Sequence, residues 1–217
     1  MKRLFILLIV LAVTVPAFSQ IQAVMSEVNG KVELKASGGS WQAASVGDQV
    51  GRGTTVSTGF GATAAITMGN SVVRVQQLTR MTLEELVESE GTVNTDLFLR
   101  VGRVKSEVKS TGGLSNNFKL RSTQATAAVR GTEFTFDGNN LIVTDGVVVL
   151  SNSIGHALRV AAGEQSKTDG LAAPTSPEVE KIVQSVVDYA TNPSESIQDL
   201  PEISRDNALV VIRVNWQ

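Results

Sequence analysis

From Gln20 to Thr168 the apolar residues of this chain recur at every second position in short bursts, and the bursts stop at glycine, asparagine or serine. Leu97, Leu99 and Val101 fall on one side of Leu97–Val101, Phe134 and Phe136 on one side of Glu133–Phe136, and Lys31–Leu34 alternates directly after Gly30. A two-residue period is that of a strand with one face in a core and the other in water. Between the bursts stand Asn29-Gly30, Gly38-Gly39, Gly69-Asn70, Gly112-Gly113, Asp137-Gly138 and Asp145-Gly146, several of the kind that supply the positive φ of tight hairpins. The pattern predicts about fifteen short strands, none long enough to stand alone.

One phrase recurs. Gly30-Lys31-Val32, Gly102-Arg103-Val104 and Gly146-Val147-Val148 each set a glycine just before a strand and a valine two positions on, at unequal separations that exclude a fixed-period repeat. Two readings follow: a turn glycine that starts a strand, or a corner between stacked layers of an irregular β-solenoid or coiled sandwich.

Beyond Gly170 the pattern changes. Pro174, Pro177, Pro193 and Pro201 lie here, whereas Gln20–Ala173 has no proline, as expected of central strands that must donate to a ladder. Ser176, Pro177, Glu178 and Glu180 form a helix start, with a capping hydroxyl, a proline at the first turn and carboxylates at the positive dipole end. Val179, Ile182, Val183, Val186, Val187 and Ala190 continue at helical spacing, which predicts an amphipathic helix over about 177–191. After a polar connection, Val210, Ile212, Val214 and Trp216 alternate with Val211, Arg213 and Asn215 as a final strand over about 208–216, of a kind that adds to a sheet. The expected fold class is all-β: many short strands in an irregular β-solenoid-like or coiled sandwich, plus one C-terminal amphipathic helix and a final strand.

The chain opens with Lys2 and Arg3, an apolar run from Leu4 to Val15, Pro16 and then Ala17-Phe18-Ser19. That order is expected of a cleavable secretory signal peptide over 1–19, cut between Ser19 and Gln20. The run is shorter than the roughly 20 residues of a spanning helix, and no later stretch is long and apolar enough to cross a bilayer, so no transmembrane anchor is expected. The organisation expected is therefore a leader over 1–19, a β domain over 20–170 and an extension over 171–217, in a periplasmic or secreted protein.

Charge and composition narrow the chemistry. There are 19 Lys and Arg against 21 Asp and Glu, and loss of Lys2 and Arg3 with the leader leaves a net charge of about −4, which offers no footprint for nucleic acid. The chain has no cysteine and one histidine, His156, in the turn-like Ser153–His156, so thiol catalysis and histidine-rich zinc sites are excluded. No cofactor and no enzymatic activity are expected. Glu84, Glu85, Glu88 and Glu90 form the densest acidic cluster, but without the interleaved glycine and aspartate of a compact calcium loop they are expected to be a solvated face. Arg100, Arg103, Lys105, Lys109, Lys119 and Arg121 are spaced as outward-facing charge on half-buried strands, with a positive stripe toward an anionic wall polymer as the alternative.

The stretch Thr123–Phe134, which contains Ala127-Ala128-Val129-Arg130-Gly131-Thr132-Glu133-Phe134, resembles the signature of the FecR domain family. Gly30-Lys31-Val32, Trp41 before Val46-Gly47-Asp48, Gly53 before Val56-Ser57-Thr58, and Ala64–Met68 followed by Gly69-Asn70-Ser71 fall in the family's order upstream; Asp145–Val149 and Ala162-Gly163-Glu164 do so downstream. The resemblance spans about Val24–Thr168. In the motif, Arg130, Gly131, Thr132 and Phe134 are expected to form a structural corner, with Gly131 bending the backbone and Arg130 offering its donors to carbonyls.

The resemblance implies a β-rich domain that works by contact. Family members include periplasmic regulators with a cytosolic anti-sigma segment and one membrane helix, whose outer domain meets the signalling domain of a TonB-dependent receptor. This chain departs in having no cytosolic segment and an export sequence that reads as cleavable, which points to a free module. The function expected is an exported interaction module of the bacterial periplasm or cell envelope, meeting an unidentified envelope protein. The alternative is a protein that binds carbohydrate or peptidoglycan through polar residues around Trp41 and Arg130.

Overall fold

The computed structural model describes residues 21–110 and 112–191. Along the chain come β1 (Ala23–Asn29), β2 (Val32–Lys35), β3 (Gln42–Ala43), β4 (Thr55–Thr58), β5 (Thr63–Met68), β6 (Ser71–Val75), β7 (Arg80–Ser89) and β8 (Thr92–Val101). Then follow β9 (Val104–Val108), β10 (Ser115–Arg121), β11 (Ala125–Val129), β12 (Thr132–Phe136), β13 (Asn140–Asp145), β14 (Val147–Asn152), β15 (Ala157–Ala161), β16 (Gln165–Lys167) and the helix α1 (Pro177–Thr191). The expected leader over 1–19, its cut between Ser19 and Gln20, and the expected strand over 208–216 lie outside the described residues.

The strands form two sheets, one of seven in the order β1-β5-β6-β9-β12-β13-β16 and one of nine in the order β15-β14-β11-β10-β8-β7-β4-β2-β3. The fold is all-β with one helix, an open sandwich rather than a closed barrel. Period-two alternation decides which side chains enter it. In β9, Val104, Ser106 and Val108 are buried while Lys105 and Glu107 face outward; in β12, Thr132, Phe134 and Phe136 are buried while Glu133 and Thr135 are not. Neighbouring strands are antiparallel except β8 and β10, which run parallel with Leu97 opposite Leu120.

The chain seldom stays in one sheet. It crosses after β1, β4, β6, β8, β9, β11, β13 and β15, so the backbone coils around the core. The recurring glycines stand at three of these crossings, and each packs against a second crossing: Gly30 against Ala62, Gly102 against Thr79, and Gly146 against Gly131 and Thr132. Two positions later Val32, Val104 and Val148 are the first fully buried residues of the next strand. The corner reading therefore describes them. At Gly146, with φ +80°, an added Cβ would stand 2.9 Å from the Gly131 carbonyl oxygen, too close for any side chain.

Phe118 of β10 and Phe134 of β12 come from opposite sheets and meet edge to face, ring centroids 6.2 Å apart and planes at 76°. That geometry suits the ring quadrupoles and adds about 0.5–1.5 kcal/mol beyond area burial. Met25, Ile66, Leu97, Leu120, Leu141 and Leu150 complete the centre.

Helix α1 is fastened at its start. The Ser176 carbonyl accepts the Glu180 N–H at 3.1 Å, and the Ser176 hydroxyl oxygen accepts the Val179 N–H at 3.4 Å. The buried Glu180 carboxylate accepts the Thr175 hydroxyl at 2.7 Å and lies 3.4 Å from Lys167 Nζ, which ties the helix to β16. Among the described residues no helix is long and apolar enough to cross a membrane.

Candidate functional site

The signature residues divide into three that serve the fold and one that does not. Thr132 is buried, with its hydroxyl 3.3 Å from the Val147 carbonyl; Phe134 is a core ring; and Gly131, at φ +139°, carries the crossing from β11 to β12. Arg130 is exposed and has no hydrogen bond or ion pair among the described residues, so its donors are not engaged by neighbouring carbonyls. The tightest backbone approach belongs to Gly102, against Thr79, and it lies outside the Thr123–Phe134 signature.

Candidate charge sites resolve into ordinary pairing. Glu84 of the acidic cluster is ion-paired with Arg121, whose Nε also donates to both Asp96 oxygens at 2.8 and 3.0 Å. The Asp96 hydrogen bond, with the charges of Asp96 and Glu84, holds the Arg121 guanidinium above its ordinary pKa. Glu85, Glu88 and Glu90 are exposed at the far end of the β7–β8 hairpin. Among the described residues, no three acidic or histidine side chains are placed to hold a metal ion. Of the basic residues, Arg103 pairs with Asp137, Lys105 with Glu133, and Lys109 with Glu107. Arg100 and Lys119 are left exposed, too few to form a stripe. His156 is exposed in the β14–β15 turn, where its backbone N–H donates to Asn152 Oδ1 at 2.8 Å.

Trp41 and Arg130 do not share a site. Trp41 leads into β3 at one border of the larger sheet, and Arg130 closes β11, with β10, β8, β7, β4 and β2 between. Six inter-strand steps of about 4.8 Å separate them. Trp41 instead lies between Lys35 and Arg80, whose cationic groups stand 5.9 and 5.4 Å from its ring. A groove of about 270 Å³ beside it is lined by Leu34, Gly39, Gln42, Asp48 and Thr54 among others.

Backbone pairing groups are the remaining chemical resource, and the sheet edges differ sharply in how many they leave free. The first part of the β1 edge, Ala23–Met25, is covered by residues 47–50, through Met25 N–H to the Asp48 carbonyl at 2.9 Å and Val50 N–H to the Ala23 carbonyl at 2.8 Å. The β16 edge is covered by Thr175, whose N–H donates to the Lys167 carbonyl at 2.9 Å. The β3 edge is two residues long.

The β15 edge is different. Asn152 N–H donates to the His156 carbonyl at 2.9 Å, and the register runs on through Leu150–Leu158 and Val148–Val160, so Leu158 and Val160 turn their backbone toward β14. Ala157, Arg159 and Ala161 therefore turn theirs outward. Ala161 is taken by its own turn, its N–H donating to Glu164 Oε2 at 2.8 Å and its carbonyl accepting the Glu164 N–H at 3.0 Å. The N–H and C=O groups of Ala157 and Arg159 have no partner among the described residues. On the outer face beside them, one cross-strand row runs Lys119, Ala128, Val149 and Arg159 and the next runs Arg121, Thr126, Ser151 and Ala157, so small residues lie between basic ones. What makes β15 an edge is its place at the end of the strand order, which no local sequence pattern encodes.

The profile of the FecR protein family matches residues 54–154, which include the whole Thr123–Phe134 signature. No curated protein matches the chain. Two crystal structures of a candidate anti-sigma factor from Parabacteroides distasonis ATCC 8503 are similar to it. The 1.65 Å structure is 19% identical with a TM-score of 0.45 over 61% of this chain and 64% of that one. The 2.50 Å structure is 20% identical with a TM-score of 0.46 over 60% and 64%. The chain thus spans less than two thirds of that protein. The signature is thus folded as a crossing of the sandwich and the family profile lies over β4 to β14, a match over residues 54–154 that is consistent with a FecR-like protein.

Proposed function

We propose that this chain is an exported, non-enzymatic interaction module of the bacterial periplasm or cell envelope, and that it acts by receiving an extended segment of an envelope protein on the β15 edge. The observation that carries the reading is the N–H and C=O groups of Ala157 and Arg159, which have no partner among the described residues. A strand added there gains main-chain hydrogen bonds along its length, while the side chains of Val149 and Arg159 select which residues lie on the outer face. An envelope signalling or assembly role fits such a contact. The FecR family match and the Lys2–Ser19 leader pattern support it. Crosslinking in the native cell tests it: the chain should capture one discrete envelope protein, and recovery of abundant bystanders alone would contradict the reading.

A second reading, binding of cell-wall carbohydrate, rests on Trp41, which is 39% exposed beside its groove. Sedimentation with purified wall sacculi separates the two. A protein-contact module stays in the supernatant, whereas a wall binder sediments and is released by Trp41→Ala.

A further inference from the structure

The four strands β10, β11, β14 and β15 lie side by side in the larger sheet and hold no Asp or Glu, although the chain has 21 acidic residues against 19 basic ones. Their outer face carries cations. Lys119 of β10 and Arg159 of β15 share one cross-strand row, with Ala128 and Val149 between them, and Arg130 follows β11 two residues beyond Ala128. All three cations are exposed, and their side chains have no hydrogen bond or ion pair among the described residues. We infer that this face is a docking surface for an acidic segment of a partner protein, whose carboxylates meet Lys119, Arg130 and Arg159. The inference rests on the reading above in taking the partner to be a protein, and it adds the chemistry that selects that partner.

The spacing suits one extended segment. Lys119 and Arg159 stand three inter-strand steps apart, about 14 Å, so their long side chains flank a floor of short ones: Ala128 and Val149 in their own row, Thr126 and Ser151 in the next. Arg130 stands about 7 Å along the chain from Ala128, at one end of that floor. A segment running along β11 and β14 therefore has a cation on either side and a third at its end. Helix α1 docks on β16, in the other sheet.

Neighbouring charges set the sign and the size of the occupant. Arg121, also on β10, is already engaged by Asp96 and Glu84, and from β8 onward the sheet turns acidic, with Asp96, Glu84 and Glu85. A long polyanion reaches beyond the cations into those carboxylates and into the field of a chain whose net charge is −2. A short acidic segment over β11 and β14 stays among cations. Its encounter with the face is steered by charge, an effect that salt screens.

The test compares the full chain with K119Q/R130Q/R159Q, which alters exposed side chains alone, and with R103Q/K105Q/K109Q. The second variant removes the same charge from cations paired with Asp137, Glu133 and Glu107. The probe is a fluorescein-labelled dodecapeptide of alternating glutamate and serine, read by anisotropy at low and high salt. An exposed cation of this kind contributes up to about fivefold in affinity, so K119Q/R130Q/R159Q should bind about tenfold or more weakly. The unaltered chain, R103Q/K105Q/K109Q and the charge-keeping K119R/R130K/R159K should bind alike, and added salt should weaken all three. No binding by the unaltered chain, or an equal loss in both glutamine variants, overturns the proposal. So does sedimentation with anionic phospholipid vesicles, or a concentration-dependent dimer, that K119Q/R130Q/R159Q alone loses in place of peptide binding; these would assign the face to a membrane or to a second copy. Crosslinking from Ala157 in the native envelope keeps the functional reading separate. Peptide binding without a captured partner supports the acidic docking surface and contradicts the edge; a captured partner without peptide binding does the reverse.

Discussion

The Cα of Thr79 lies 2.4 Å, and its Oγ1 2.2 Å, from the point where a Cβ on Gly102 would stand. The same hydroxyl accepts the Arg103 N–H at 2.9 Å and stands 3.2 Å from the Arg103 carbonyl, so two crossings of the sandwich are clasped at one point. Gly102→Ala would force a left-handed backbone at φ +97° on an L-residue and drive its methyl into main chain. The left-handed cost is about 1–2 kcal/mol and the overpacking about 1–3 kcal/mol, so a loss of about 2–5 kcal/mol is expected in urea unfolding. Gly163→Ala separates the two effects. It stands at φ +78° with open space around it, and should cost about 1–2 kcal/mol.

In the centre of β9 the Ser106 hydroxyl is fully buried and has no hydrogen-bond partner among the described residues. An unmade hydrogen bond of this kind costs about 1–3 kcal/mol, so Ser106→Ala should leave stability unchanged or raise it by about 1 kcal/mol. A drop in the unfolding midpoint would show that the hydroxyl has a partner.

Glu180 fixes α1 to β16 through Thr175 and Lys167. Lys167 is half exposed, so solvent screens the ion pair and the Thr175 hydrogen bond carries much of the effect. Glu180→Ala should weaken helix docking by about 1–2 kcal/mol and leave the sandwich intact. Limited proteolysis should cut near residues 175–181 first, with the melting of the β domain little changed.

Asp169 is held below the usual carboxylate range because its side chain accepts the backbone N–H groups of Ala172, at 2.8 Å, and Leu171, at 3.0 Å. A lowered folded pKa means that the unfolded chain binds the proton first as pH falls. The turn's stabilisation is therefore complete above about pH 4 and is lost as pH drops through the folded value. The amide signals of Leu171 and Ala172 should titrate together with a midpoint below the ordinary Asp value of about 3.9. A midpoint at or above that value would contradict the hydrogen-bond geometry.

Much of this fold was legible because burial on one face leaves a two-residue period, and Phe134–Phe136 and Leu97–Leu99 carry it plainly. Helix α1 was legible from Ser176-Pro177 and the carboxylates that follow. The pairing order was not, because β8 and β10 lie side by side only after the chain has crossed to β9 and back, and no local pattern encodes that. The exposed guanidinium of Arg130, without a partner among the described residues, was equally hidden, since its neighbours are set by how two crossings stack. So was the wide separation of Trp41 from Arg130, which depends on strand order.

The most direct test of the central claim, that the β15 edge is the contact surface, is a photo-crosslinker placed at Ala157 in the native envelope. It should be compared with one at Ser57 on β4 and repeated with Arg159→Pro. Proline at an outward edge position is compatible with the strand but removes a donor from it. The account predicts one discrete envelope protein captured from Ala157, absent from Ser57 and abolished by Arg159→Pro. Capture of the same protein from Ser57, or capture unaffected by Arg159→Pro, would contradict it.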